Sequence, residues 1–119
     1  MKKGLSYSLV TPARNEEAFI ELTIRSVINQ TVLPVKWVIV SDGSTDRTDE
    51  IVIGYARQYP FIEFVRMPER TVRDFAGKVG CFNVGYERLK SVSCDIVGNL
   101  DADISFDENY FSFLFRTII

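Results

Sequence analysis

At 119 residues the chain has room for one domain at most. Its 14 basic and 16 acidic residues leave a net charge of −2, so nothing in the composition points to the basic face that a grip on nucleic acid needs. The apolar share of 46% is enough to build a core without metal or disulfide staples, and the absence of histidine excludes an imidazole-activated nucleophile. Carboxylates, Lys and Arg are left to do any chemistry. Cys81 and Cys94 have no metal-ligand spacing and read as two small core residues in a reducing compartment. The opening Met1–Leu5 leads into Ser6-Tyr7-Ser8 rather than an apolar signal core. No apolar run approaches the roughly twenty residues that span a membrane. A cytoplasmic location is expected, with membrane association left to a region outside this chain.

In chain order, short apolar strands alternate with helical patterns. Leu5–Thr11 reads as the first strand. A helix is expected from Glu16 to about Gln30, with Phe19, Ile20, Ile24, Val27 and Ile28 on one 3.6-period face and Asn15 as its N-cap. Trp37–Ser41 is a continuous, largely β-branched run, the mark of a strand buried on both faces. A second helix is expected from Asp46 to about Tyr59, ended by Pro60. Ile62–Arg66 reads as a third strand. The charged stretch Met67–Gly77 reads as a surface loop, and Lys78–Leu89 as a third helix. Within that helix Gly85 is unusual for propensity and implies close packing. Asp95–Leu100 is a fourth strand, and a last helix starts at Asp107.

That order, βαβαβαβα, predicts an α/β fold: an open, mostly parallel sheet with helices on both faces. The chain is read as a single domain, 1–119. Its last residues, Phe111–Ile119, are still apolar, so a piece of a longer protein, cut within a helix, is expected. The aromatic residues Tyr110, Phe111, Phe113 and Phe115 are assigned to the core. An apolar edge left uncovered would seek a partner, so a homodimer is an expected association.

In an open α/β sheet, ligands bind at the carboxyl ends of the strands. There the sequence sets Thr11-Pro12-Ala13-Arg14-Asn15-Glu16-Glu17, then Asp42-Gly43-Ser44-Thr45-Asp46, then Arg66 with the charged loop, then Asp101-Ala102-Asp103. Four polar clusters on one edge make a site. Asp101 and Asp103 flank one residue; in an extended segment alternation puts both carboxylates on one side. Such a pair suits a hard divalent ion that also takes diphosphate oxygens. Gly43 gives the second turn its backbone freedom, and Ser44, Thr45 or Asp46 caps the following helix. Capping leaves Asp42 unexplained; it is placed to accept a hydrogen bond from a nucleobase. Lys78, Arg73 and Arg66 are candidate phosphate contacts.

These residues resemble glycosyltransferase family 2, of the GT-A type with its Rossmann-like nucleotide-binding half. The likeness is carried by Leu9-Val10-Thr11-Pro12-Ala13-Arg14-Asn15-Glu16-Glu17, Ser26-Val27-Ile28-Asn29-Gln30-Thr31 and Val38–Thr48. Further on it is carried by Gly77-Lys78 with Asn83 and Gly85, and by Leu100-Asp101-Ala102-Asp103. The resemblance covers essentially the whole chain. It implies a hexosyltransferase that moves a sugar, with inversion, from a nucleoside-diphosphate sugar to an acceptor hydroxyl on a saccharide, lipid or protein. It implies that Thr11, Pro12 and Glu16 line the nucleotide pocket, that Asp42 reads the base and that Lys78 lies near the diphosphate. Asp101 lies toward the ribose and sugar, and Asp103, with Asp101, holds Mg²⁺ or Mn²⁺. Ser41 stands where the family often has a second acid, which loosens the expectation about the base. The family's catalytic base lies in a C-terminal half beyond the Asp-x-Asp, so no catalytic residue is assigned within 1–119 and the isolated chain is expected to be inactive in transfer. Asp107 and Glu108 read as the first turn of the last helix instead. Two other readings compete: a phosphatase using an Asp-x-Asp nucleophile, and a non-catalytic nucleotide-binding or interaction module on the same fold.

Overall fold

A computed structural model describes residues 5–67 and 75–118, with side chains from 5–67 and 79–114. Four strands and four helices alternate along these residues: β1 (Tyr7–Ala13), α1 (Ile20–Ile28), β2 (Lys36–Asp42), α2 (Thr48–Gln58), β3 (Ile62–Met67), α3 (Phe75–Leu89), β4 (Ile96–Asn99) and α4 (Tyr110–Ile118). The strands form one parallel sheet in the order β3-β2-β1-β4. The expected fold class is therefore the observed one.

The order carries the logic of the fold. The chain steps outward from β1 to β2 to β3, then returns past β1 to lay down β4. Parallel crossovers keep one hand, so reversing the direction of travel moves the connecting helix to the other face. On one face, Ile20, Ile24 and Val27 of α1, Val52 of α2 and Phe111 of α4 pack over Tyr7, Leu9, Trp37, Ile39 and Ile62. On the other face, Cys81 and Leu89 of α3 pack over Val10, Val38 and Val40. β2 is covered on both sides, which is why Trp37–Val40 are all fully buried and why that run is legible in the sequence. Each such side chain contributes about 1.5–3 kcal/mol on burial.

α3 lies close to the sheet because Gly85 has no side chain. A Cβ there would sit 2.4 Å from Val10 Cγ1. The expectation of close packing at Gly85 is met by a particular neighbour.

Several boundaries differ from those expected, for tertiary reasons. α1 begins at Ile20, not Glu16. The residues between form a turn in which the Glu16 carbonyl accepts from the Phe19 and Ile20 amides at 3.0 and 2.8 Å. Asn15 is not its N-cap: it adopts a positive φ of 51° and turns its side chain to the β2–α2 loop. α4 begins at Tyr110, after a turn in which the Asp107 carboxylate accepts from the Asn109 amide at 2.9 Å. Of the aromatic group assigned to the core, Phe111 is buried, Tyr110 and Phe113 are exposed, and the Phe115 side chain lies outside the described residues. Phe106 joins the core in their place, its ring 5.5 Å from that of Phe111. Cys81 is buried and Cys94 half-buried, and no disulfide joins them.

Candidate functional site

In a parallel sheet all carboxyl ends share one edge, and the reversal of strand order opens a crevice there. Here the reversal lies between β1 and β4. Pairing of these two strands stops at Val10 with Asn99, the Leu100 amide adding one bond of 2.9 Å to the Val10 carbonyl. β1 runs on through Thr11, Pro12 and Ala13, paired there with β2 alone. Pro12 has no N–H to give, and it sits where β1 has lost its β4 neighbour, a position that tolerates proline. The structure thus brings Thr11–Glu16, Asp42 and Asp101–Asp103 to one edge of the sheet, at the carboxyl ends of β1, β2 and β4.

The individual residues differ in what they offer. Thr11 is fully buried, and its hydroxyl accepts from the Trp37 indole at 2.8 Å. Its side chain therefore faces the core, and its contribution to the edge is backbone. Pro12 is half-buried. Glu16 is half-buried, and its amide donates to the Thr48 hydroxyl at 2.8 Å. Asp42 ends β2 as a buried acid, 6% exposed, ahead of Gly43 with its φ of 64°. That left-handed turn frees the chain to enter the next helix.

Asp101 and Asp103 are both exposed, with Ala102 buried between them. They lie in a turn past the end of β4, not in an extended segment as expected. The placement of Ala102 in the core, rather than strand alternation, leaves both acids outward. Among the described residues no group of three or more Asp, Glu, Cys or His gathers to hold an ion by protein alone. Two carboxylates suit Mg²⁺ or Mn²⁺ if the remaining positions go to phosphate oxygens and water, the usual arrangement for Mg²⁺ beside a nucleotide. The donor set therefore fits an ion that arrives with a diphosphate.

Two clusters of contacts that sequence reasoning missed hold this edge together. The first joins the β1–α1 and β2–α2 loops. Asn15 Oδ1 accepts from the Thr45 amide at 2.8 Å and the Asp46 amide at 3.3 Å, while the Asn15 amide donates to Ser44 Oγ at 3.2 Å. Asp46 accepts from the Thr48 hydroxyl and amide at 2.6 and 2.9 Å and from the Glu17 amide at 3.2 Å. Burial by itself would raise the Asp46 carboxyl, but these bonds from Thr48 and Glu17 outweigh it and hold it below its ordinary value. The expectation that Ser44, Thr45 or Asp46 caps α2 is not met: Arg47 stands at the N-cap without a side-chain cap bond, and Asp46 reaches the Thr48 amide from one residue earlier. Arg66 closes the cluster: it donates to the Ser44 carbonyl at 3.0 Å and pairs with Asp49 of α2. Arg66 is thus engaged as a brace, which corrects its reading as a phosphate contact. An Asn at a turn between strand and helix was the available signal for the Asn15 contact, since Asn tolerates the left-handed region.

The second cluster runs along α1. Thr23 and Ser26, on the helix face that also carries Ile20 and Val27, and Gln30, just past the helix end, bond the backbone of the segment from Ala102 to Phe111. A hydroxyl within an apolar helical stripe was the signal for it.

Lys78 lies on α3 by its backbone, but its side chain lies outside the described residues, as do Arg73 and most of the charged loop. Among the described residues no helix is long and apolar enough to cross a membrane.

Known proteins sharpen these findings. Residues 8–118 match glycosyl transferase family 2. A dolichyl-phosphate beta-glucosyltransferase of Trichomonas vaginalis is 32% identical over 102 residues, which cover 79% of this chain and 32% of that protein. The S. aureus protein TarS, residues 1–349 in complex with UDP, superposes with a TM-score of 0.73 at 22% identity, over 96% of this chain and 32% of that one. Glucosyl-3-phosphoglycerate synthase of Mycobacterium tuberculosis, in complex with Mn²⁺, UDP and glucosyl-3-phosphoglycerate, superposes with a TM-score of 0.63 at 28% identity, over 97% and 40%. The chain spans about a third of the length of the glucosyltransferase, and 32% and 40% of the two superposed chains. The 3-2-1-4 parallel sheet, the acids at its carboxyl edge and the match over nearly every residue lead to one assignment: the chain belongs to glycosyl transferase family 2.

Proposed function

We propose that this chain is the donor-binding half of an inverting hexosyltransferase that uses a nucleoside-diphosphate sugar. The observation that carries the proposal is the gathering of Thr11–Glu16, Asp42 and Asp101–Asp103 at one sheet edge, where the strand order reverses between β1 and β4. In this reading the backbone past Thr11, with Pro12 and Glu16, lines the nucleotide pocket. Asp42 accepts a hydrogen bond from the base at the floor of that pocket. Lys78 lies near the diphosphate, and Asp101 lies toward the ribose and sugar. Asp103, with Asp101, holds Mg²⁺ or Mn²⁺, which when bound offsets the charge gathering on the leaving diphosphate. The Mn²⁺ and UDP of the mycobacterial synthase, at 28% identity, support the metal and the donor class.

In the proposed reaction the bond between the sugar's anomeric carbon and the diphosphate oxygen breaks. The acceptor oxygen bonds to the opposite face of that carbon, and a base takes the acceptor's proton. By analogy with the family, that base is proposed to lie beyond the Asp-x-Asp, in a C-terminal half. The 119 residues alone are therefore proposed to bind the donor and not to transfer its sugar efficiently, and the whole protein to act on the cytoplasmic side.

Thermal unfolding with a panel of nucleoside diphosphates, with and without Mn²⁺, tests the proposal. A ligand at a hundredfold over its dissociation constant stabilises a native state by about 2.7 kcal/mol. The expected result is a shift with one nucleotide that needs Mn²⁺ and is lost in Asp103→Ala. A chain that melts unchanged with every nucleotide would overturn it.

A further inference from the structure

The turn carrying Asp103 has left the sheet: β4 ends at Asn99, and α4 begins only at Tyr110. Between them the backbone has no strand neighbour to fix it, yet a ligand for an ion has to be held in place. What holds it is a side-chain ladder on α1. The Thr23 hydroxyl, fully buried, lies 3.0 Å from the Ala102 carbonyl and 2.6 Å from the Ile104 carbonyl, and accepts from the Ile104 amide at 3.1 Å. Ser26 Oγ accepts from the Phe106 amide at 3.2 Å. Gln30 donates to the Asp107 carbonyl and accepts from the Phe111 amide, the latter at 3.1 Å. Thr23 and Ser26 lie three apart on one face of α1, and Gln30, two residues past the end of the helix, adds the last rung.

Thr23 grips the two residues on either side of Asp103. Its single proton serves one of the two carbonyls at a time, while its lone pairs take the Ile104 amide. Water is excluded at a side chain with no exposed surface, so no solvent molecule takes over these bonds if the hydroxyl is removed. We propose that Thr23 is the positioning residue for the metal-binding turn, fixing Asp103 for an ion that it never touches. The proposal rests on the reading of Asp103 as a metal ligand.

The test compares Thr23→Val, which keeps the shape and removes the hydroxyl, with Thr23→Ser, which keeps the hydroxyl. Mn²⁺ binding in the presence of excess UDP is read by electron paramagnetic resonance of free Mn²⁺, on the unaltered chain, both variants and Asp103→Ala. Removing an outer-shell partner of a metal ligand costs about 10–100-fold in affinity. Thr23→Val is expected to weaken Mn²⁺ by at least about tenfold, and Thr23→Ser to restore most of the loss. Exchange of the Ile104 amide, followed by NMR without metal, is expected to speed up in Thr23→Val and not in Thr23→Ser. If Asp103→Ala loses Mn²⁺ while Thr23→Val binds it as the unaltered chain does, the positioning role is overturned and the metal site stands. If Asp103→Ala binds Mn²⁺ as well as the unaltered chain, the metal reading fails, and the positioning role with it. Should Thr23→Val not fold, Thr23→Ala, which leaves space rather than a methyl, carries the same expectation and the same refutation.

Discussion

Placing the same substitution in two helices tests how tightly α3 is seated on the sheet. Gly54 of α2 and Gly85 of α3 are both helical, and alanine is favoured over glycine in a helix interior by up to about 1 kcal/mol. A Cβ on Gly54 meets nothing within 4 Å, so Gly54→Ala should stabilise by about 0.5–1 kcal/mol. A Cβ on Gly85 would lie 2.4 Å from Val10 Cγ1, 3.1 Å from Cγ2 and 3.3 Å from Cβ. Val10 is fully buried in a central strand, and with both methyls already close, rotating its side chain exchanges one overlap for another. Overpacking of this kind costs about 1–3 kcal/mol. The upper part of that range applies to a neighbour that cannot turn away, so after the propensity gain Gly85→Ala should destabilise by about 1–2 kcal/mol. Urea midpoints at constant slope read both changes. Adding Val10→Ala should remove most of the Gly85→Ala penalty relative to its own background, a coupling that a double-mutant cycle isolates. If Gly85→Ala raised the midpoint as Gly54→Ala does, α3 would not be seated as described.

Other expectations concern the edge that carries the site. Asn15→Ala forces a left-handed conformation on alanine, at about 1–2 kcal/mol, and removes the acceptor for the Thr45 and Asp46 amides; Asn15→Gly relieves only the first. Urea unfolding should therefore rank them with Asn15→Ala the less stable, and equal midpoints would refute the role given to the φ at this position. Asp46 has a folded-state value held below its ordinary 3.8, so its stabilising share is present above about pH 4 and is lost as the pH falls through the lower folded value. Melting temperatures from pH 7 down to pH 2.5 should fall more steeply for the unaltered chain than for Asp46→Asn, and parallel curves would contradict the assignment. Arg66→Met should destabilise by removing both the brace to Ser44 and the partner of Asp49, while leaving the affinity for nucleotide unchanged. A weakened nucleotide affinity in the folded variant would make Arg66 a phosphate contact after all.

The sequence was legible where one dominant force shapes the chain. Trp37–Val40 reads as a buried strand because hydrophobic burial on both faces leaves no other use for such a run. Parallel order follows from alternation of strands and helices, and with it the meeting of the acids at one edge. What the sequence did not show are the places where a polar residue bonds far along the chain. Asn15 looks like a helix cap in sequence, because its partners at Thr45 and Asp46 are thirty residues away. Arg66 looks like a free cation until Asp49 is found beside it. Thr23 is indistinguishable from a filler in an apolar stripe until the turn after β4 folds back along α1. The aromatic residues near the end escape sequence reading for a related reason. Apolar residues at helical spacing say that a helix has an apolar face, not which side chains of that face will be covered, and Tyr110 and Phe113 stay exposed among the described residues.

The functional reading stands or falls on whether the crevice between β1 and β4 holds a nucleoside diphosphate with its metal. Calorimetric titration of the 119-residue chain with UDP and with GDP, each with Mn²⁺, alongside Asp42→Ala and Asp103→Ala, decides it. Saturable one-to-one binding of at least one of the two nucleotides is expected. That binding should be weakened at the base end by Asp42→Ala, and its Mn²⁺-dependent part lost in Asp103→Ala. No heat with either nucleotide from a chain that circular dichroism shows to be folded, or binding indifferent to both substitutions, would contradict it.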